Sequence, residues 1–112
     1  MAVQNGLLDL SWPAGEDLTE KQFRFVKLND EAKCVACASG DTPLGVLQNN
    51  PAIGESAGVR LIGTTKLMAA GAAAIMAGLS VGAEGKAASG GTNAIALEAA
   101  TADGDIITAL LK

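Results

Sequence analysis

Apolar and polar residues alternate with a period of two in short stretches of this chain. Phe23 and Phe25 alternate with Arg24, and Val59 and Leu61 face away from Arg60 and Ile62, the spacing of half-buried strands. The alternation predicts strands over residues 7–12, 23–28, 33–38, 43–47 and 58–63, with 64–69 as an extension of the last. It resumes over 79–81, 86–88, 93–97 and 106–111. Polar or glycine-bearing turns separate them, at Asn29-Asp30-Glu31, Ser39-Gly40-Asp41 and Gly82-Ala83-Glu84-Gly85, residues that favour turns and hairpins. Residues 17–22 are expected to make one helical turn capped by Asp17 or Thr19. Residues 70–77 are ambiguous. Alanine favours helix, but Gly71 and Gly78 bracket the segment, so a short strand or irregular crossing is expected, with a short helix as the alternative. About eight to ten short strands at close spacing indicate an all-β fold, a small β-barrel or sandwich.

The last third of the chain repeats the middle weakly. Leu47-Gln48-Asn49-Asn50-Pro51-Ala52-Ile53-Gly54-Glu55 lines up with Leu97-Glu98-Ala99-Ala100-Thr101-Ala102-Asp103-Gly104-Asp105 at a shift of 50 (97 − 47). Leucine meets leucine, Ala52 meets Ala102, Gly54 meets Gly104, and Glu55 meets Asp105. Apolar stretches flank both copies. Two copies are too few for a solenoid, so two pseudo-repeated halves within one barrel or sandwich are expected.

The chain has 112 residues, the size of one domain with one modest core. Residues 1–15 read as an N-terminal arm, broken at Pro13-Ala14-Gly15, and residues 16–112 as a single β-barrel domain. Of the residues 49% are hydrophobic, but many of these are alanine, with two Phe, one Trp and no Tyr. Large core anchors are therefore scarce, which favours added stability from oligomerisation or docking. Trp12 either caps the barrel's own core or anchors the arm on a neighbouring subunit.

The net charge is −4, and Lys and Arg are scattered, so neither nucleic acid nor a membrane surface is an expected partner. No basic stretch leads into an apolar one at the N-terminus, as a signal peptide requires. Residues 67–81 are uncharged and mostly apolar but too short and glycine-interrupted to span a bilayer. A soluble protein made in a cytoplasm is expected.

Catalytic chemistry finds little to stand on. There is no histidine, the usual base at neutral pH and a member of the hydrolase triad. Cys34 and Cys37 have redox or zinc spacing, but zinc needs four ligands, and in a strand the two point to opposite faces. Two small buried thiols are expected. Gly82 to Lys86 echoes a phosphate loop, but its glycine spacing is short and Ala87 stands where Ser or Thr is needed. No segment supplies the alternating oxygens of a calcium loop. Asp103 and Asp105 read as a solvated turn, and Glu98 as half of a structural ion pair with a Lys or Arg. Neither a catalytic residue nor a cofactor or metal site is expected.

From Asp17 onward the chain resembles the capsid cement, or head decoration, proteins of tailed bacteriophages. The resemblance rests on Asp17-Leu18 leading into Lys21-Gln22-Phe23-Arg24-Phe25-Val26-Lys27-Leu28, then Leu44-Gly45-Val46-Leu47-Gln48-Asn49. It continues through Pro51-Ala52 and Gly54-Glu55 to Val59, and ends in Ala96-Leu97-Glu98-Ala99-Ala100 and Asp103-Gly104-Asp105-Ile106-Ile107. It departs from the family's pattern in the alanine-rich residues 70–77 and at Gly90-Gly91, which shortens a turn. The resemblance implies a non-enzymatic virion protein on the outer face of an icosahedral head, commonly a homotrimer, clamping neighbouring major capsid subunits. The expected contacts are Leu7, Leu10 and Trp12 of the arm and Asn49, Asn50, Pro51, Thr101 and Asp103 of the two repeated loops. Two rivals stand beside it. One is a small β-barrel carrier with Lys66 as the modified lysine. The other is a host- or glycan-binding module, which the shortage of aromatic residues disfavours.

Overall fold

The computed structural model describes residues 6–111, with side chains from Leu8 onward. Nine strands form one antiparallel sheet: β1 Gly6–Pro13, β2 Phe25–Leu28, β3 Cys34–Ala36, β4 Gly45–Leu47, β5 Ser56–Met68, β6 Gly78–Val81, β7 Ala87–Ser89, β8 Ala94–Ala96 and β9 Ile106–Leu111. Their order is β3-β2-β4-β5-β9-β8-β6-β7, with β1 paired to β5 off that path. The sheet curls strongly into a half-barrel. Its one helical element among the described residues is the 3-10 turn Ala83–Gly85 between β6 and β7.

The two halves have the same connectivity. In each, a hairpin (β2–β3 or β6–β7) is followed by a strand that pairs with the hairpin's first strand, and then by a strand that pairs with that one. The long β5 serves both halves. Its first part is the last strand of repeat one and pairs with β1. Its second part is the first strand of repeat two and pairs with β9 in the same register, so Trp12 opposite Ala57 matches Leu67 opposite Ile107. The repeat thus extends over the whole described chain.

Individual hydrogen bonds repeat too. Ala14 N–H donates to Glu55 O at 2.8 Å, and Ala69 N–H donates to Asp105 O at 2.7 Å. Gly54 and Gly104 donate to Ala14 O and Ala69 O in turn. Gln48 N–H donates to Gly58 O as Leu97 N–H donates to Thr108 O, both at 2.8 Å. This last pair corrects the sequence alignment by one residue. The counterpart of Leu47 is Ala96, and Leu97 corresponds to Gln48. The burial agrees, since Leu47 is wholly buried whereas Leu97 is 37% exposed.

Each repeat carries its own core at matching positions. Ala14, Leu18, Val26, Cys34, Leu47, Ala57 and Val59 form one cluster. Their counterparts Ala69, Ala73, Leu79, Ala87, Ala96, Ile107 and Ala109 all lie in the other. Phe25, Cys37 and Val46 of repeat one join that second cluster, welding the halves together. Alanine is abundant because it fills repeat two where repeat one has Leu18, Cys34, Leu47 and Val59.

Two expectations fail locally. Residues 17–22 make no helix; the segment is held by Leu18, fully buried, whose N–H donates to Pro51 O. Phe23 is not in a strand but in a turn, at φ +65°. Residues 70–77 form the irregular crossing, bridging once at Ala73 to Ala100, because their backbone groups are taken by tertiary partners and not by an i−4 ladder.

Candidate docking surface

The two repeated loops are built alike. In the first, Glu55 Oε1 accepts from Ala52 N–H at 2.7 Å; in the second, Asp105 Oδ2 accepts from Ala102 N–H at 3.2 Å and from Thr101 N–H at 2.9 Å. Gly54 and Gly104 sit at φ +84° and +93°, a region that glycine enters without strain. Hydrogen bonds from the backbone and hydroxyl of Thr101 and the backbone of Ala102 hold the Asp105 carboxyl below its usual pKa. The repeated glycine and acid therefore shape these turns, which is why they were visible in the sequence.

The expected contact residues fall into distinct settings. Leu7 lies outside the residues whose side chains are described. Leu10 is 45% exposed on β1. Trp12 is half-buried and packs on the cluster around Leu18 and Val26, so it caps the chain's own core. Asn49 accepts from Gly58 N–H and donates to Ser56 O, bracing its loop. Asn50 accepts from Gln22 N–H at 3.0 Å and donates to Gln22 Oε1. Pro51 is buried. Thr101 is bound to Asp105, and Asp103 pairs with Lys86 at 3.0 Å. The two loops lie in matching places on successive repeats, while Leu10 and Trp12 lie on the strand that flanks the first.

Glu98 finds a different partner from the one expected. Its Oε1 accepts from the Thr108 hydroxyl and from Thr108 N–H, and these bonds lower its pKa. Lys66 lies inside β5 opposite Thr108, with its ammonium 5.8 Å from the Phe23 ring centre. A carrier lysine stands at a hairpin tip, and this one does not. Cys34, in β3, and Cys37, just past its end, fall in separate core clusters. Burial pushes their thiols up to about 11 and about 12. Among the described residues no three Cys, Asp or Glu gather as metal ligands.

Sequence reasoning passed over three exposed apolar side chains: Ile75, Met76 and Leu97, at 62%, 66% and 37% exposure. The signal was present, since Ile75-Met76 are the only large side chains in an alanine-rich crossing. β1 is pinned to β5 by a two-pronged ion pair, Arg60 Nε and Nη2 donating to Asp9 at 2.9 and 3.0 Å.

This half-barrel of two tandem β units is a known architecture. The chain is similar in structure to the head fiber gp8.5 N base of bacteriophage phi29, with a TM-score of 0.72 and 14% sequence identity over 94% of this chain and 93% of that one. At such low identity the likeness is one of fold. No protein-family model matches the chain, and no curated protein matches its sequence.

Proposed function

We propose that this chain is a non-enzymatic structural protein of a phage virion, bound to the outer surface of the head. The observation that carries the reading is the near full-length fold likeness to a phage head fiber base. The resemblance of its loop and strand motifs, in their order, to those of head decoration proteins points the same way. On this reading the chain is made in the host cytoplasm and docks on assembled heads as a homotrimer. It clamps neighbouring major capsid subunits, its contacts with the capsid and with the other copies being supplied by Leu7, Leu10 and Trp12 of residues 1–15 and by the loops holding Asn49, Asn50, Pro51, Thr101 and Asp103. Residues 16–112, with β1 added to their sheet, form the barrel that presents the two loops.

The physical basis is linkage. A protein that binds only the assembled shell stabilises it by mass action. Three linked copies would add avidity, since each further contact becomes intramolecular. The test is to mix the purified chain with undecorated heads and pellet them. Saturable binding, with heads surviving to a higher temperature, is expected. Removing residues 1–15 is expected to lower the occupancy. Heads that bind none of the intact chain would overturn the reading.

A further inference from the structure

Repeat two is covered by repeat one along an edge that repeat one itself leaves bare. The first strand of repeat two is the second part of β5. One of its edges pairs with β9. Its other edge meets a turn of repeat one: Met68 N–H donates to Phe23 O at 2.8 Å, Lys66 lies over the Phe23 ring, and Gln48 Nε2 donates to Thr65 Oγ1 at 2.8 Å. The register makes β1 the equivalent strand in repeat one, with Leu10, Ser11 and Pro13 in the places of Thr65, Lys66 and Met68. Among the described residues no strand pairs with the second edge of β1. A shallow groove lined by Ser11, Trp12, Pro13, Gly54 and Ser56 lies close by, over the paired ends of β1 and β5.

The covering element also has its counterpart. Gln22, Phe23 and Gln48, all half-buried, correspond in repeat two to Ile75, Met76 and Leu97. Phe23 and Met76 share the same turn, at φ +65° and +69°. Yet the second set projects into solvent. Of the eight large hydrophobic side chains exposed among the described residues, Ile75, Met76, Leu97 and Leu10 occupy these positions.

We propose that a second copy of this chain seats its Ile75–Met76 turn and Leu97 on the open edge of β1, over Leu10, Ser11 and Pro13. The packing that joins the two repeats within one chain is thereby continued between chains. The residue types fit that role. The polar pair Gln48–Thr65, which closes inside the monomer, becomes Leu97 against Leu10, and Gln22 becomes Ile75. Pro13 has no N–H, so the bond that Met68 gives Phe23 has no counterpart, and apolar burial has to drive the contact. Two different surfaces meet, so the association is head-to-tail and closes into a ring or runs on. The inference rests on the self-association in the proposed function and fails separately from head binding.

The test uses two single variants, Leu10→Cys and Leu97→Cys, both at exposed positions. The native thiols are buried and stay silent to a maleimide cross-linker of short span. Mixing the two variants is expected to give covalent dimers, with at least tenfold less in either variant alone. Met76→Asp, which the left-handed backbone tolerates, is expected to shift the chain to monomer in light scattering. No mixed dimer, or equal dimer in each variant alone, would overturn the contact. A trimer that withstands Met76→Asp without mixed cross-links would leave self-association standing and this surface refuted. A wild-type monomer at all soluble concentrations would refute both.

Discussion

Phe23 and Met76 hold the same backbone conformation and make the same bond. Each has a positive φ, +65° and +69°, and each donates its N–H to the last residue of the following single strand, Leu47 O at 2.8 Å and Ala96 O at 2.7 Å. They differ in surroundings: Phe23 is half-buried against Lys66, while Met76 is 66% exposed. Truncation should therefore cost different amounts. Phe23→Ala is expected to lower stability by about 1–2 kcal/mol, part of the cost of a fully buried ring. Met76→Ala is expected to stay within about 0.5 kcal/mol in dilute solution. Chemical denaturation of both variants checks the contrast, and equal losses would deny that only one of the two turns is covered.

The glycines of the sheet divide into those the packing demands and those it does not. A Cβ on Gly45 would lie 2.3 Å from Arg60 O, and one on Gly78 would lie 2.0 Å from Gly91 O. Both neighbours are backbone and cannot yield cheaply. Gly45→Ala and Gly78→Ala are each expected to cost about 2–3 kcal/mol or more. Gly58, in β5, has open space where its Cβ would go. Gly58→Ala is expected to be neutral or to stabilise by about 0.5 kcal/mol, because alanine loses less freedom in a strand. Thermal unfolding of the three variants separates these outcomes.

Acid should weaken this fold through its turns. Asp105, Asp17, Asp41 and Glu98 all have lowered pKa values. For Asp105 and Asp17 hydrogen bonds within the turn dominate, for Asp41 the bond from Lys27, and for Glu98 the bond from the Thr108 hydroxyl. A carboxyl whose folded pKa is depressed contributes stability above its unfolded value and loses it as pH falls through the folded one. Stability should thus be flat near neutrality and fall once pH drops below the ordinary values of 3.8 for Asp and 4.5 for Glu. Asp105→Asn is expected to flatten that fall. Unchanged acid dependence in the variant would show that the Asp105 turn is not part of it.

The two cysteines should be inert until the chain opens. Burial raises both thiols, Cys34 to about 11 and Cys37 to about 12, aided by Glu16 beside Cys34 and Asp41 beside Cys37. The reactive form is the thiolate, so iodoacetamide near pH 8 is expected to leave the folded chain unlabelled and to add two groups after denaturation. Rapid labelling of the folded chain, read by intact mass, would contradict the buried placement.

Much of this architecture was legible in the residue pattern. Alternation located the strands, because one face of each strand is buried and the other solvated, as at Val59 and Arg60. The loop repeat was legible because Gly54 and Gly104 need a positive φ and Glu55 and Asp105 cap the same turn. The full repeat was not. The spacing between counterparts changes from 55 (Ala14 to Ala69) to 53 (Phe25 to Gly78), 49 (Leu47 to Ala96) and 50 (Gly54 to Gly104), so no single shift aligns it. The identities also differ, since core positions trade volume, Leu18 for Ala73 and Ala57 for Ile107. The helical turn expected over residues 17–22 failed because Leu18 is drawn into the core, a tertiary pull stronger than local propensity. The exposed Ile75-Met76 pair was hidden by its alanine neighbours, which made the segment look like a filler.

The most direct measurement is an image reconstruction of phage heads with and without this chain bound. The account predicts added density on the outer surface where capsid subunits meet, shaped as copies of the half-barrel. Heads whose density is unchanged after incubation with the intact chain would contradict it.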